Sequence, residues 1–174
     1  MKKVLFIILF CGLFGGFDAL AKEEYDAKQT KTCQDGLLCD LNGKLITGTV
    51  KEYDEKENLK SEISYFNGRM NGSAETYYAN GNMKTSAHYV YGKKVGKNKK
   101  YYENGQLKAD LTYKNGEKNG TSQVYDEAGN LTAEILFKNG KAISGEMYDD
   151  EGNKTKMTSA HLHNIDKGIM PNGK

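Results

Sequence analysis

A chain of 174 residues with 25 Lys+Arg against 23 Asp+Glu carries a net charge of only +2, so it exerts no chain-wide pull on polyanions. With 37% hydrophobic residues, one Pro and no Trp it has little with which to fill a thick core. After its first residues nothing approaches the ~20 apolar residues of a membrane-spanning helix, which excludes a helical membrane protein beyond that point.

The chain opens on Lys2 and Lys3, runs apolar through residues 4–17 and reaches Ala19-Leu20-Ala21. A basic head, a short apolar middle and an A-x-A site predict a secretory signal peptide over residues 1–21. Cys11 offers a lipoprotein alternative, but Phe10 holds the place before it, where a lipid-attachment signal takes a small residue. Export would put the product in the periplasm of a bacterial cell, on its surface or outside it. Cleavage leaves 153 residues with 23 Lys+Arg against 22 Asp+Glu, since Lys2, Lys3 and Asp18 go with the signal.

Residues 22–40 read as a polar leader, flexible over 22–32, that carries Cys33 and Cys39. An even cysteine pair in an oxidising compartment predicts a disulfide cap. Closing so small a loop stabilises the fold by roughly 2 kcal/mol on the chain-entropy model. The rival reading is a metal or redox pair, but C-x5-C has neither the zinc nor the C-x-x-C spacing.

Residues 41–154 hold five copies of one unit. Gly43, Gly68, Gly92, Gly116 and Gly140 lie 25, 24, 24 and 24 residues apart, the mark of a repeat architecture. A second glycine follows in each copy, at Gly48, Gly72, Gly96, Gly120 and Gly145, and five residues beyond it stands Tyr53, Tyr77, Tyr101 or Tyr125 in the first four. Four residues further comes Gly81, Gly105 or Gly129, with Glu57 in that place in the first copy. The fifth copy shifts Tyr148 and Gly152 against Gly145 and reads as a worn, capping unit.

The second half of each copy alternates with period two, as in Leu59, Ser61, Ile63, Tyr65 and in Leu131, Ala133, Ile135, Phe137, which marks a half-buried strand. Most of these strands close on Asn-Gly, at Asn67-Gly68, Asn115-Gly116 and Asn139-Gly140, the strongest short hairpin signal. The first halves are irregular: Lys97, Asn98, Lys99 and Lys100 precede Tyr101 with no apolar face. The expected fold is all-β, an elongated, solenoid-like antiparallel meander of hairpins with about ten strands. Leu, Ile and Tyr columns bury one face and the other stays open to water. Residues 155–174 form a tail without pattern.

A Gly-x3-Gly-x4-Tyr-x3-Gly-x-Leu unit with a Tyr-x-Asn-Gly close, seen best in Tyr101-Tyr102-Glu103-Asn104-Gly105-Gln106-Leu107-Lys108, resembles the MORN repeat (membrane occupation and recognition nexus). It is most similar to the bacterial variant filed under a YwqK-type antitoxin label, though the commonest MORN form carries a tryptophan that this chain lacks. The resemblance implies a curved sheet of hairpins used as a scaffold or binding surface, without catalysis of its own. An antitoxin role would have to be that of an exported immunity protein.

Two groups stand out as candidate sites. Tyr53, Tyr77, Tyr101 and Tyr125 offer flat amphipathic area for a protein partner, or simply pack on one another across strands. Lys93, Lys94, Lys97, Lys99 and Lys100 put five charges into eight residues. They read as a contact for anionic lipid or glycan, at up to ~1 kcal/mol per lysine, or as a solvated strand guarded against edge pairing. Nucleic acid is not expected, because no further basic-aromatic motif accompanies them. His161-Leu162-His163 would aim both imidazoles one way on a strand, but in an unpatterned tail the pair reads as exposed, and no metal site is assigned. Asp149 and Asp150 fall in a turn, where acids are ordinary. With no phosphate loop and no nucleophile beside a base, neither a catalytic constellation nor a cofactor is assigned. The expected function is a non-catalytic, exported protein-binding scaffold, the alternatives being an anionic lipid or glycan module and an antitoxin-like immunity protein.

Overall fold

The computed structural model describes residues 23–168; the signal-peptide reading, at residues 1–21, lies outside them. Ten strands form an antiparallel meander: β4 (Gly48–Tyr53), β5 (Leu59–Phe66), β6 (Arg69–Tyr77), β7 (Met83–Val90), β8 (Lys93–Tyr101), β9 (Leu107–Lys114), β11 (Gly120–Tyr125), β12 (Leu131–Lys138), β13 (Lys141–Tyr148) and β14 (Lys154–Lys156). Before them come β1 (Glu24–Asp26) and a two-stranded ribbon of β2 (Thr30–Thr32) and β3 (Leu38–Asp40), and the short β10 (Glu117–Lys118) pairs with β9. One helix follows, α1 (Ser159–Asp166).

Two kinds of turn generate the meander. At Asn67-Gly68, Tyr91-Gly92, Asn115-Gly116 and Asn139-Gly140 both residues have positive φ, as a two-residue type I′ hairpin demands. Asn tolerates this left-handed backbone, whereas Tyr91, at φ 47°, stands where only its repeat position explains it. The other turns are three-residue loops ending in a left-handed residue: Glu57, Gly81, Gly105, Gly129 and Gly152. Gly43 belongs to this second kind. Its amide donates to the Asp40 carbonyl at 3.1 Å, and the Asp40 carboxylate accepts from the amides of Asn42 and Lys44. The Asp126 carboxylate caps Ala128 and Asn130 in the same way. The anchor spacing of 25 therefore arises because Gly43 does the work of Gly129, not of Gly68.

The inner face is built by pairing large with small. Ile63 lies between Val50 and Ala74, Leu111 pairs with Asn98, and Ile135 lies between Ser122 and Gly145. Most of the bulk comes from the regular second strands, so beside Val50 and Val124 the first strands place small or bonded residues here. Asn98 (4% exposed) and Ser122 (0%) occupy buried positions that hydropathy alone does not reveal. The same rule pairs each aromatic with a glycine seventeen residues earlier: Gly48 with Tyr65, Gly72 with Tyr89, Gly96 with Tyr113 and Gly120 with Phe137.

The main core lies at the C-terminal end, where Val124, Ala133, Ile135 and Phe137 pack with Met157 and Ile165. The tail, patternless in sequence, forms β14 and then α1, which lies on this end. The Asp166 carboxylate accepts from the Ala142 amide at 2.8 Å, and Thr158 and His161 close a capping box. His161 and His163 are thus on a helix, where residues two apart diverge by about 200°, and not on a strand. The leader is also ordered from Glu23 on: β1 adds in parallel to the free edge of β4, with the Glu23 carbonyl accepting from Thr49. Cys33 and Cys39 are disulfide-bonded, with Cα atoms 6.0 Å apart.

Candidate functional site

Strand alternation gives the sheet two unlike faces. The outer face carries a charged column, with Lys51, Glu62 and Glu75 in register at one end and Glu134, Glu146 and Lys156 at the other. Tyr53, Tyr77, Tyr101 and Tyr125 each end a first strand just past a register shift, opposite Leu59, Met83, Leu107 and Leu131. The fold therefore aligns them as one column. The Tyr77 hydroxyl donates to Glu75 at 2.9 Å and that of Tyr125 to Gln123 at 3.0 Å, two residues back on the same strand. Burial, then the Glu75 bond, pushes the Tyr77 phenol up to about 12. Tyr53 is the open one, 38% exposed.

The five lysines do not form one patch. They sit on β8, whose alternation sends Lys94 and Lys100 inward and Lys93, Lys97 and Lys99 outward. Lys97 pairs with Asp110 at 3.1 Å, while Lys94 and Lys100 flank the buried Asn98 on the inner side. A strand over Lys93–Tyr101 read with period two separates them, and that signal was present in the sequence.

A further set of residues, not singled out by the sequence as a site, forms a ladder along the inner face. Tyr65, Tyr89, Tyr113 and Phe137 alternate with the residues that open each repeat, Met70 beside Tyr65, Lys94 beside Tyr89 and Lys118 beside Tyr113. The Lys94 ammonium lies 5.9 Å from the Tyr89 ring centre and 5.4 Å from that of Tyr113, and Lys118 lies 4.7 Å from that of Phe137. Burial, with the charge of Lys100 adding to it, lowers the Lys118 pKa. At the C-terminal end this face is covered through Ile165. Over the central repeats Ile63, Met70, Ala87, Tyr89 and Tyr113 are only partly buried, around a cleft of about 130 Å³.

Adjacent repeats are also latched at the turn edge. The Tyr78 hydroxyl donates to the Tyr101 carbonyl and that of Tyr102 to the Tyr125 carbonyl, each at 2.8 Å, while the amides of Asn80 and Asn104 reach the carbonyls of Glu103 and Glu127. The first and fourth of these turns, and the last, carry Asp54, Asp126 and Asp149 instead, which cap only their own loop. Among the described residues no group of three or more His, Cys, Asp or Glu is placed to hold a metal ion, and no helix is long and apolar enough to cross a membrane.

No curated protein matches this chain in sequence. The model of the MORN repeat variant matches residues 46–67, 70–91, 94–115 and 118–139, which together make up half of the chain. The matched units begin at Ile46, Met70, Lys94 and Lys118, the positions that interleave with the aromatic ladder, so the family's repeat and the structural repeat coincide. The chain belongs to the MORN repeat variant family.

Proposed function

We propose that this protein is an exported, non-catalytic scaffold that binds another protein across the inner face of its central repeats. The observation that carries this reading is the uneven cover of that face. It is sealed at the C-terminal end, where Ile165 is 2% exposed, and left partly open around Tyr89, Lys94 and Tyr113. Partly buried aromatics on a rigid sheet supply contact area at low entropic cost. Membership of a repeat family whose members serve as binding surfaces agrees with this. The outer tyrosine column is the weaker candidate, since Tyr77 and Tyr125 already spend their hydroxyls on their own strands. Export rests on the signal-like residues 1–21 and is supported by the Cys33–Cys39 bond, a bond that persists in oxidising compartments.

The test is photo-cross-linking from single probe residues, one set on the inner face at positions 87 and 111 and one on the outer face at 75 and 134, in the source cells. A protein adduct formed from the inner positions and not the outer ones is the expected result. Adducts from the outer set alone would move the site to the tyrosine column. No protein adduct from either set would defeat the scaffold reading and leave the lipid, glycan or immunity roles to be examined.

A further inference from the structure

The inner face of the central repeats is apolar, but it is not neutral. Lys94 lies between Tyr89 and Tyr113, Lys100 is exposed two residues past Asn98, and Lys118 lies over Phe137. Among the described residues the ion pairs engage Lys44, Lys51, Lys60, Lys97 and Lys154, so none of these three inner lysines has a carboxylate partner at contact distance. Lys100 stands in a column with Thr85, Ala109 and Val124 that meets an acid at Glu52 of the first repeat, and the Asp166 carboxylate of α1 acts electrostatically on Lys118, whereas Glu75, Asp110 and Glu134 stand on the other side of the sheet. Over the central repeats strand alternation therefore sets Glu62, Glu75 and Asp110 on the outer face and Lys94 and Lys100 on the inner one.

Resting on the scaffold reading above, we infer that the inner face of the central repeats binds an extended acidic segment of a partner protein, one apolar side chain entering the cleft and neighbouring carboxylates meeting Lys94 and Lys100. The floor of that cleft is Ala74, Ala87 and Leu111, with Tyr89 and Tyr113 as its walls. Its volume of about 130 Å³ suits a single apolar side chain and is too small for an acyl chain. That size is what favours a peptide over a lipid. A segment lying across the strands turns every second side chain to the sheet, so sheet-facing positions that are acidic and apolar by turns meet ammonium and apolar floor.

The repeat itself supplies variants that should fold. One repeat earlier, Met70 occupies the place of Lys94 and Thr76 that of Lys100. The probe is a fluorescent eight-residue peptide, Glu-Ser-Leu-Ser-Glu-Ser-Phe-Ser, whose side chains on one face are Glu, Leu, Glu and Phe, titrated against the full chain, with a control peptide that carries Lys for each Glu. The acidic peptide is expected to bind at least tenfold more tightly than the control and to weaken as salt rises. The double variant Lys94→Met, Lys100→Thr should lose at least tenfold in affinity with an unchanged circular dichroism spectrum, and Lys97→Ala, on the outer face beside Asp110, less than twofold. Equal binding of the two peptides, full affinity in the double variant, or no binding of the acidic peptide would overturn the inference. Sedimentation of the protein with phosphatidylglycerol vesicles through Lys94 and Lys100, without peptide binding, would overturn it in favour of an anionic membrane surface. An inner-face protein cross-link found alongside a failed peptide titration would retain the scaffold and remove only the acidic class.

Discussion

The hydroxyl of Tyr78 donates to the backbone carbonyl of Tyr101 at 2.8 Å, so a side chain in one repeat fixes the main chain of the next, one residue before its own equivalent, Tyr102. Tyr102 does the same for Tyr125. A stack in which each unit touches only its neighbours is as strong as the terms between units, and these bonds are such terms. Where Asp54 and Asp126 replace the tyrosine the turn is closed from within, and the lowered pKa of each aspartate reflects the bonds it accepts, first from Asn58 and Asn130.

Replacing Tyr78 or Tyr102 by Phe removes only the latch hydroxyl. Each change should destabilise the protein by about 1 kcal/mol in urea unfolding, with the ring packing kept. A loss below a few tenths for both would show that the carbonyls of Tyr101 and Tyr125 are equally well served by water.

Tyr91 holds a left-handed φ that Asn adopts at the equivalent Asn67, Asn115 and Asn139, and it is 62% exposed, so little packing is lost with it. Tyr91→Asn should stabilise by about 1 kcal/mol. For a chain of this size that raises Tm by about 2–4 °C. A lowered Tm would mean that the ring makes a contact worth more than the strain.

How far the sequence could be read follows from which residues carry a local signal. Strands such as Leu131–Lys138 announce themselves by alternation, and Asn139-Gly140 by its turn chemistry. Asn98 and Ser122 do not, because their burial is set by Leu111 and Ile135 across the ladder, a relation with no local trace. Asn42-Gly43 resembles Asn67-Gly68 in letters but follows Asp40, whose carboxylate selects the three-residue loop. The parallel pairing of β1 with β4 and the docking of α1 through Ile165 join segments far apart in the chain and lack any periodic pattern. The Lys94, Tyr89, Tyr113 cluster needed both the strand reading of β8 and its register against β7 and β9.

Lys118 sits where Met70 sits two repeats earlier, and burial, then Lys100, lowers its pKa. Lys118→Met gives up a ring contact of about 0.5–1 kcal/mol but removes that electrostatic penalty. It should stabilise by about 1 kcal/mol near neutral pH. Because the folded pKa is the lower one, the penalty is complete below it and vanishes above the unfolded value near about 10.4. The stability gap between variant and parent should therefore close as pH rises through that interval. A gap independent of pH would assign the effect to packing alone.

For Tyr77 the sign is reversed. Its folded pKa, about 12, lies above the unfolded value of about 10, so its contribution is whole below pH ~10 and is lost as pH climbs through the folded value. Chemical unfolding of the parent and of Tyr77→Phe should differ by a constant amount up to pH ~10 and by less at each step beyond. A difference that grows with alkali would contradict the placement of this hydroxyl against Glu75.

Ile165 is the residue of α1 buried in the core, 2% exposed, where it packs with Phe137, Ile135 and Met157. Ile165→Ala should cost about 2–5 kcal/mol through lost burial and the cavity left behind. The loss should also be local. In a stack held together by neighbour contacts, uncapping one end frees that end first, so amide exchange should accelerate across β12 and β13 while β6 to β8 keep their protection. Acceleration throughout the sheet would instead show that the ten-strand meander unfolds as one cooperative body, and that the latches of Tyr78 and Tyr102 couple the repeats more tightly than the helix caps them.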